Sequence, residues 1–192
     1  MKATFPLFST SWVALKTLFG KYGVECVVPP PTSQRTLSLG VKYSPEWVCL
    51  PHKVVLGNLI EGLELGADTV IHVGGTGLCR LGWYARLHEE AMRALGFEFR
   101  MAIFDWQEQQ IVGLARFGKE LLGTDKSWRE IIGDIKFGLQ QLMLMDDLER
   151  RTHQIRPREL TPGAASRIWH SAGERVAAAW SPQALKQVRQ EL

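Results

Sequence analysis

The sequence predicts an α/β fold, with a parallel, doubly wound sheet domain over residues 1–105 and a helical extension over residues 106–192. Three observations carry this expectation. Apolar, β-branched runs alternate with helix-periodic runs at about 25-residue spacing through the first hundred residues. Glycine or proline stands at the end of most of those runs. After Asp105 the strand signals stop and long helical patterns take over.

Taken in order, Ala3 to Phe8 reads as a strand, Trp12 to Tyr22 as a helix, and Val24 to Val28 as a second strand stopped by Pro29, Pro30 and Pro31. Ser33 is suited to cap a short helix that ends at Gly40. Pro51 to Leu65 has a helical pattern closed by Gly66, and Thr69 to Val73 is the next strand. A Gly74–Gly77 loop then leads into a helix from Gly82 to Leu95, closed by Gly96, and a strand from Phe97 to Phe104. Helices are expected over 108–122, 128–155 and 164–192. In the middle one, the spacing of Leu139, Leu142 and Met143 points to core or partner contact, beside Asp146 and Asp147.

Composition narrows the function classes. Of 192 residues, 45% are hydrophobic and 22% charged, which provides enough apolar surface for a core and argues against disorder. Three cysteines cannot all pair internally, and Met1 to Ser11 lacks the pattern of a secretory signal, so a reducing cytoplasm is the expected compartment. Glu61, Glu64 and Asp68 interrupt the most apolar region before it reaches the roughly 20 residues of a membrane span. The formal charge of +3 is unevenly placed, with nets of +2, −4 and +5 over residues 1–100, 101–149 and 150–192. The basic residues of the last segment are spread among Ala, Leu and Trp, so they read as solvated helix faces and nucleic acid is not an expected partner.

Chemistry concentrates in two segments, Trp47 to Lys53 and Gly74 to Gly82. Cys49 and Cys79 each fall just before a predicted helix, hence at the sheet edge where strand ends meet helix starts and open α/β sheets bind ligands. A helix N-terminus favours the thiolate, the form that binds metal. With 29 residues between these two cysteines and no Cys-x-x-Cys pair, spacing alone leaves small buried residues and metal ligands both open. Cys26, inside an apolar strand, reads as structural. Around the pair, Gly74, Gly75 and Gly77 suit backbone approach to an anion or to cluster sulfurs, or simply a tight turn. His52, Lys53 and Arg80 could offset thiolate charge or meet a phosphate. His72 reads as a satisfied interior histidine, Glu46 as a carboxylate without a partner, and His88, His153 and His170 carry no ligand spacing.

The residues from Thr4 to Pro6, Val27 to Pro31, Leu39 to Glu46, Cys49 to Lys53, Leu56 to Asn58, Gly66 to Asp68 and Gly74 to Tyr84 resemble the bacterial CoA protein activase group. That group is related to the 2-hydroxyacyl-CoA dehydratase component proteins and the double-cubane cluster proteins. The resemblance covers residues 1–105, and more loosely the remainder through Trp128 to Ile131 and Ile155 to Pro157. It implies a Rossmann-like or flavodoxin-like domain holding an iron–sulfur cluster, of 4Fe–4S type, through thiolates. In the dehydratase relatives such a cluster takes an electron from an ATP-hydrolysing activator and drives radical removal of water from a 2-hydroxyacyl-CoA. By position, Cys49 and Cys79 match the family's first two cysteines and become the expected metal ligands, with acyl-CoA a candidate ligand. The longer relatives continue into a second sheet domain that supplies another cysteine. Two thiolates do not complete a cluster that takes about four ligands, so a homodimer or a partner subunit is expected to finish the site. No Gly-x-x-x-x-Gly-Lys-Ser/Thr sequence is present, so the chain is not itself a P-loop ATPase. The alternative is a metal-free scaffold that docks a larger partner through its helical extension.

Overall fold

A computed structural model describes residues 1–75, 79–105, 119, 123 and 125–192; the helix expected over 108–122 and Gly77 of the glycine loop lie outside the described residues. The described chain is α/β, with four parallel strands in the order β2-β1-β3-β4 and seven α-helices. No helix among the described residues is long and apolar enough to cross a membrane. The chain forms two compact units, residues 1–7 with 22–126 and residues 8–21 with 127–192. Residues 8–21 thus belong to the second unit, although the sequence reading assigns all of 1–105 to the first.

The first unit contains β1 (Lys2–Thr4), β2 (Glu25–Cys26), β3 (Thr69–Gly74) and β4 (Arg100–Asp105). β1 and β2 are shorter than the apolar runs that mark them, because burial outlasts the hydrogen-bonded ladder. Phe5 is buried beyond the end of β1, and Pro6 has no N–H to extend the ladder. β4 starts late for a different reason. Phe97 is taken up by the cap of the preceding helix, its N–H bonding the Met92 carbonyl at 3.2 Å while Gly96, at φ 88°, bonds Arg93.

Its helices are α2 (Gln34–Tyr43), α3 (Leu50–Glu64) and α4 (Leu81–Ala94). Ser33 caps α2 in a reciprocal capping box with Thr36. α2 runs three residues past the expected stop at Gly40, because that glycine serves close packing and not termination. A Cβ on Gly40 would lie 1.8 Å from the Lys53 carbonyl oxygen, and one on Gly57 would lie 2.0 Å from that of Thr36. α2 and α3 therefore pack nearly backbone to backbone. Thr36 Oγ1 donates to the buried Glu61 carboxylate at 2.6 Å, and Arg35 bridges Glu61 and Glu64 at 3.0 and 2.7 Å. α3 is buried all round from Val55 to Leu63, and Leu56, Leu59, Ile60, Val70 and Met92 form the core. Each such side chain contributes about 1.5–3 kcal/mol by its burial.

The second unit contains α1 (Ser11–Gly20), α5 (Trp128–Ile155), a 3-10 turn (Arg156–Arg158), α6 (Ala164–Ala178) and α7 (Pro182–Glu191). Ser127 and Glu130 form a capping box at the start of α5. The single helix expected over 164–192 is two helices, since Ser181 caps a new helix whose first residue is Pro182. Val13, Phe137, Leu144, Met145 and Val176 form this unit's core. Gln141 is fully buried beside it, its amide donating to the Val176 and Ala179 carbonyls at 2.9 and 3.1 Å, where the end of α6 leaves carbonyls unpaired. Leu139 and Met143, whose spacing points to core or partner contact, lie outside the core, 53% and 67% exposed.

Gly57→Ala is expected to destabilise the protein by about 1–3 kcal/mol or more, since a helix backbone must move to admit the methyl group. Gly133→Ala, on an exposed turn of α5 with nothing within 4 Å of its Cβ position, is expected to be neutral or stabilising by up to about 1 kcal/mol. Thermal unfolding of the two variants beside the parent chain checks both.

Candidate functional site

The residues singled out in the sequence converge on the edge of the sheet where β3 ends and α3 and α4 begin. Cys49 is the N-cap residue of α3, in extended backbone, with Pro51 in the first turn. Proline suits that turn because its missing N–H would have no helical partner there. Cys79 ends the loop after β3, and its carbonyl accepts from the Gly82 N–H at 3.4 Å as α4 begins. Both thiols are exposed, whereas Cys26 at the end of β2 is half-buried.

Glycine sets how closely α4 meets β3. A Cβ on Gly82 would fall 1.5 Å from the Gly75 carbonyl oxygen, and Gly75 itself has φ 131°. Only glycine at both positions lets the first turn of α4 rest against the strand end. Gly74 ends β3 in register with Asp105, and the Asp105 carboxylate oxygen stands 2.9 Å from where a Cβ on Gly75 would be, so the described start of the loop has an acidic neighbour.

The site's central contact is between Cys49 and a residue to which sequence reasoning gave no role. The Cys49 sulfur and the Tyr84 hydroxyl are hydrogen-bonded. Burial first, then the nearby Cys49 and Cys79 sulfurs, push the Tyr84 hydroxyl up to about 12, so it keeps its proton and donates it to the sulfur. That bond, followed by the backbone N–H of His52, holds the Cys49 thiol below its ordinary value, and the charge of Arg80 acts in the same direction. Because both sulfurs act on one hydroxyl, Cys49 and Cys79 share an electrostatic environment.

A cleft of about 430 Å³ opens beside this contact, lined by Trp47, Cys49, Arg80, Trp83, Tyr84 and Arg86 among others. Trp47 and Trp83 are 67% and 64% exposed, unusual for so large an apolar side chain. Of the flanking residues proposed from sequence, Arg80 lines the cleft, while Lys53 Nζ donates to the Glu46 carbonyl at 3.3 Å. His52 points inward: it is 1% exposed, with Nδ1 3.3 Å from Ser44 Oγ and Nε2 buried with no hydrogen-bond partner among the described residues.

Behind Tyr84 lie three buried imidazoles. The His52 and His88 rings lie 4.2 Å apart between centres, tilted 49° to each other, and His72 Nε2 lies 3.1 Å from His88 Nδ1. His88 Nε2 donates to the His52 carbonyl at 3.1 Å, and His72 Nδ1 donates to the Val73 carbonyl at 2.7 Å. Loss of hydration lowers all three, His72 to about 4 and His88 to about 2. His72 is an interior histidine with partners, as its apolar strand predicts. His88 has no role in the sequence reading, yet it joins β3, α3 and α4. The signal was present in the spacing: Tyr84 and His88 stand four residues apart and so share one face of α4. Among the described residues, no three His, Cys, Asp or Glu side chains are placed to hold a metal ion.

Comparison with protein-family models, curated proteins and solved structures gives no match.

Tyr84→Phe removes the leading partner of the Cys49 thiolate while keeping the ring that packs against His52. The pH profile of Cys49 alkylation, followed by mass spectrometry, is expected to move to higher pH, with slower reaction at neutral pH.

Proposed function

We propose that the chain is an iron–sulfur protein that supplies half of a cluster site, with Cys49 and Cys79 as its thiolate ligands. One observation carries this reading: two exposed thiols stand at the same sheet edge, within electrostatic reach of one buried hydroxyl, and one of them is pushed toward the thiolate that a metal requires. The surroundings suit the role. Arg80 offsets thiolate charge, and Trp47 and Trp83 put apolar surface in the cleft beside Cys49.

The residues fit part of a cluster site and not a whole one. Two thiols fall short of the roughly four ligands a cubane takes, and no three-ligand group occurs among the described residues. A second copy of the chain, or a partner subunit, completes the set in this reading. When bound, such a cluster supplies one-electron transfer, in support of electron delivery or of radical dehydration of a 2-hydroxyacyl-CoA. The chain's own residues do the rest: Tyr84 holds a proton against the Cys49 sulfur, and Arg80 places positive charge beside it.

The strand order supports a flavodoxin-like reading of the first unit. It reverses direction at β1, with β2 on one side and β3 on the other, and ligands of doubly wound sheets bind beyond the strand ends at such a reversal. The cytoplasmic location and the kinship with CoA protein activases belong to the same proposal, as does the helical remainder read as a C-terminal extension. The second reading, a metal-free docking subunit, is favoured by Leu139 and Met143, which leave an apolar stripe of α5 exposed.

Anaerobic purification with iron and sulfide analysis and a visible spectrum tests the proposal. The parent chain is expected to be coloured and to hold iron and sulfide, and Cys49→Ser and Cys79→Ser to lose both. A colourless, iron-free anaerobic preparation sinks the cluster reading and leaves the docking one. Loss of iron on Cys26→Ser alone contradicts the ligand assignment.

A further inference from the structure

Three contacts run in line through the buried imidazoles. The Val73 carbonyl oxygen lies 2.7 Å from His72 Nδ1. His72 Nε2 lies 3.1 Å from His88 Nδ1. His88 Nε2 lies 3.1 Å from the His52 carbonyl oxygen. Both ends of the line are carbonyl oxygens, which only accept hydrogen bonds. Bonds at the ends therefore need one proton on His72 Nδ1 and one on His88 Nε2.

A neutral imidazole carries a single proton. Two neutral rings thus spend both of their protons on the carbonyls, and the inner nitrogens are left as two lone pairs facing each other. Two imidazolium rings fail in the opposite way, with two N–H groups facing each other. One additional proton, neither none nor two, satisfies all three contacts. Both rings are buried, His72 at 1% and His88 at 0% exposure, and the 3.1 Å between the inner nitrogens leaves no room for a water to bridge them.

We infer that His72 and His88 together form a buried one-proton site, in which a single proton held between His72 Nε2 and His88 Nδ1 completes a chain of hydrogen bonds from β3 through α4 to α3. With the site filled, the His52 carbonyl on the first turn of α3 is tied to α4. With the site empty, the pair must give up one of its three contacts. Proton occupancy is thereby linked to how firmly the start of α3 is held, and this holds whether or not Cys49 and Cys79 carry iron.

The surroundings set when the site fills. On α3 the titratable neighbour is His52, whose ring lies 4.2 Å from that of His88 and whose own positive charge would oppose filling. On α4 it is Tyr84, 5.7 Å from His88 between ring centres. β4 sets Ile103 opposite His72, with Arg100 and Asp105 at its two ends opposite Thr69 and Gly74. β1 meets β3 through Ala3 and Thr4, at Thr69 and Val70. Burial opposes a charge here while the two carbonyls favour it, and burial is the larger effect for both rings. The site therefore fills on acidification, below the ordinary histidine range of about 6.5.

The test is an imidazole ¹⁵N NMR titration of the full chain, from mildly alkaline pH down to acid unfolding. One coupled step is expected, in which His72 Nε2 and His88 Nδ1 shift together and the pair gains one proton. His72→Gln, whose amide N–H can donate to His88 Nδ1 without an ionisable proton, is expected to abolish the step and leave His88 neutral. Two independent steps, or rings that stay neutral with unchanged tautomers until the chain unfolds, would overturn the inference. Should the variant fail to fold, the titration of the parent chain decides alone.

Discussion

The burial of polar rings where β3, α3 and α4 meet is the constraint on which the site depends. An imidazole removed from water must find partners or destabilise the fold, and unmet partners cost about 1–3 kcal/mol each. His88 meets that demand on one side by bonding the His52 carbonyl, and its other nitrogen faces His72 at 3.1 Å, a contact that a proton between the two rings completes. Those contacts tie the first turn of α3 to α4, and α4 to β3. Gly75 and Gly82 allow the approach, since any side chain at position 82 would collide with the backbone at 75. Once α3 and α4 are tied in this way, the N-cap sulfur of α3 falls against the first turns of α4, where Tyr84 waits with a hydroxyl.

Exposed and buried groups then divide the work. The sulfurs and Arg80 face solvent, where they can meet a metal or a partner. Tyr84 lies between them and the interior, 4% exposed, and keeps its proton because burial and neighbouring sulfur charge both disfavour its anion. A hydroxyl that keeps its proton is a dependable donor, so Cys49 gains thiolate character chiefly from a hydrogen bond, with the Arg80 charge acting in the same direction. The polarity that would be wasteful in a simple core is thereby used to shape one reactive edge.

Much of the fold was legible in the sequence, because the signals are local. Gly66 and Gly96 end helices in the left-handed backbone that predicts such stops, and Ser33 caps the helix it was expected to cap. The 28 residues of α5 match the expected helix from Trp128 to Ile155. Less legible were features fixed by tertiary contact. Gly40 looked like a stop and is a point of close helix packing, and α1 looked like part of the sheet domain and packs with α5 and α6. At the site, the motif residues Cys49, Cys79 and Arg80 stood out by position. Tyr84 and His88 did not: their four-residue spacing puts them on one face of α4, but what faces them is fixed only once β3 and α3 are in place.

This buried frame presents Cys49 to solvent with its thiol held toward the thiolate. The most direct test is an ultraviolet titration of thiolate absorbance in a Cys26→Ser/Cys79→Ser chain, where Cys49 is the remaining thiol. A midpoint below the ordinary cysteine value of about 8.5 is the predicted result. A midpoint at or above that value would contradict the account.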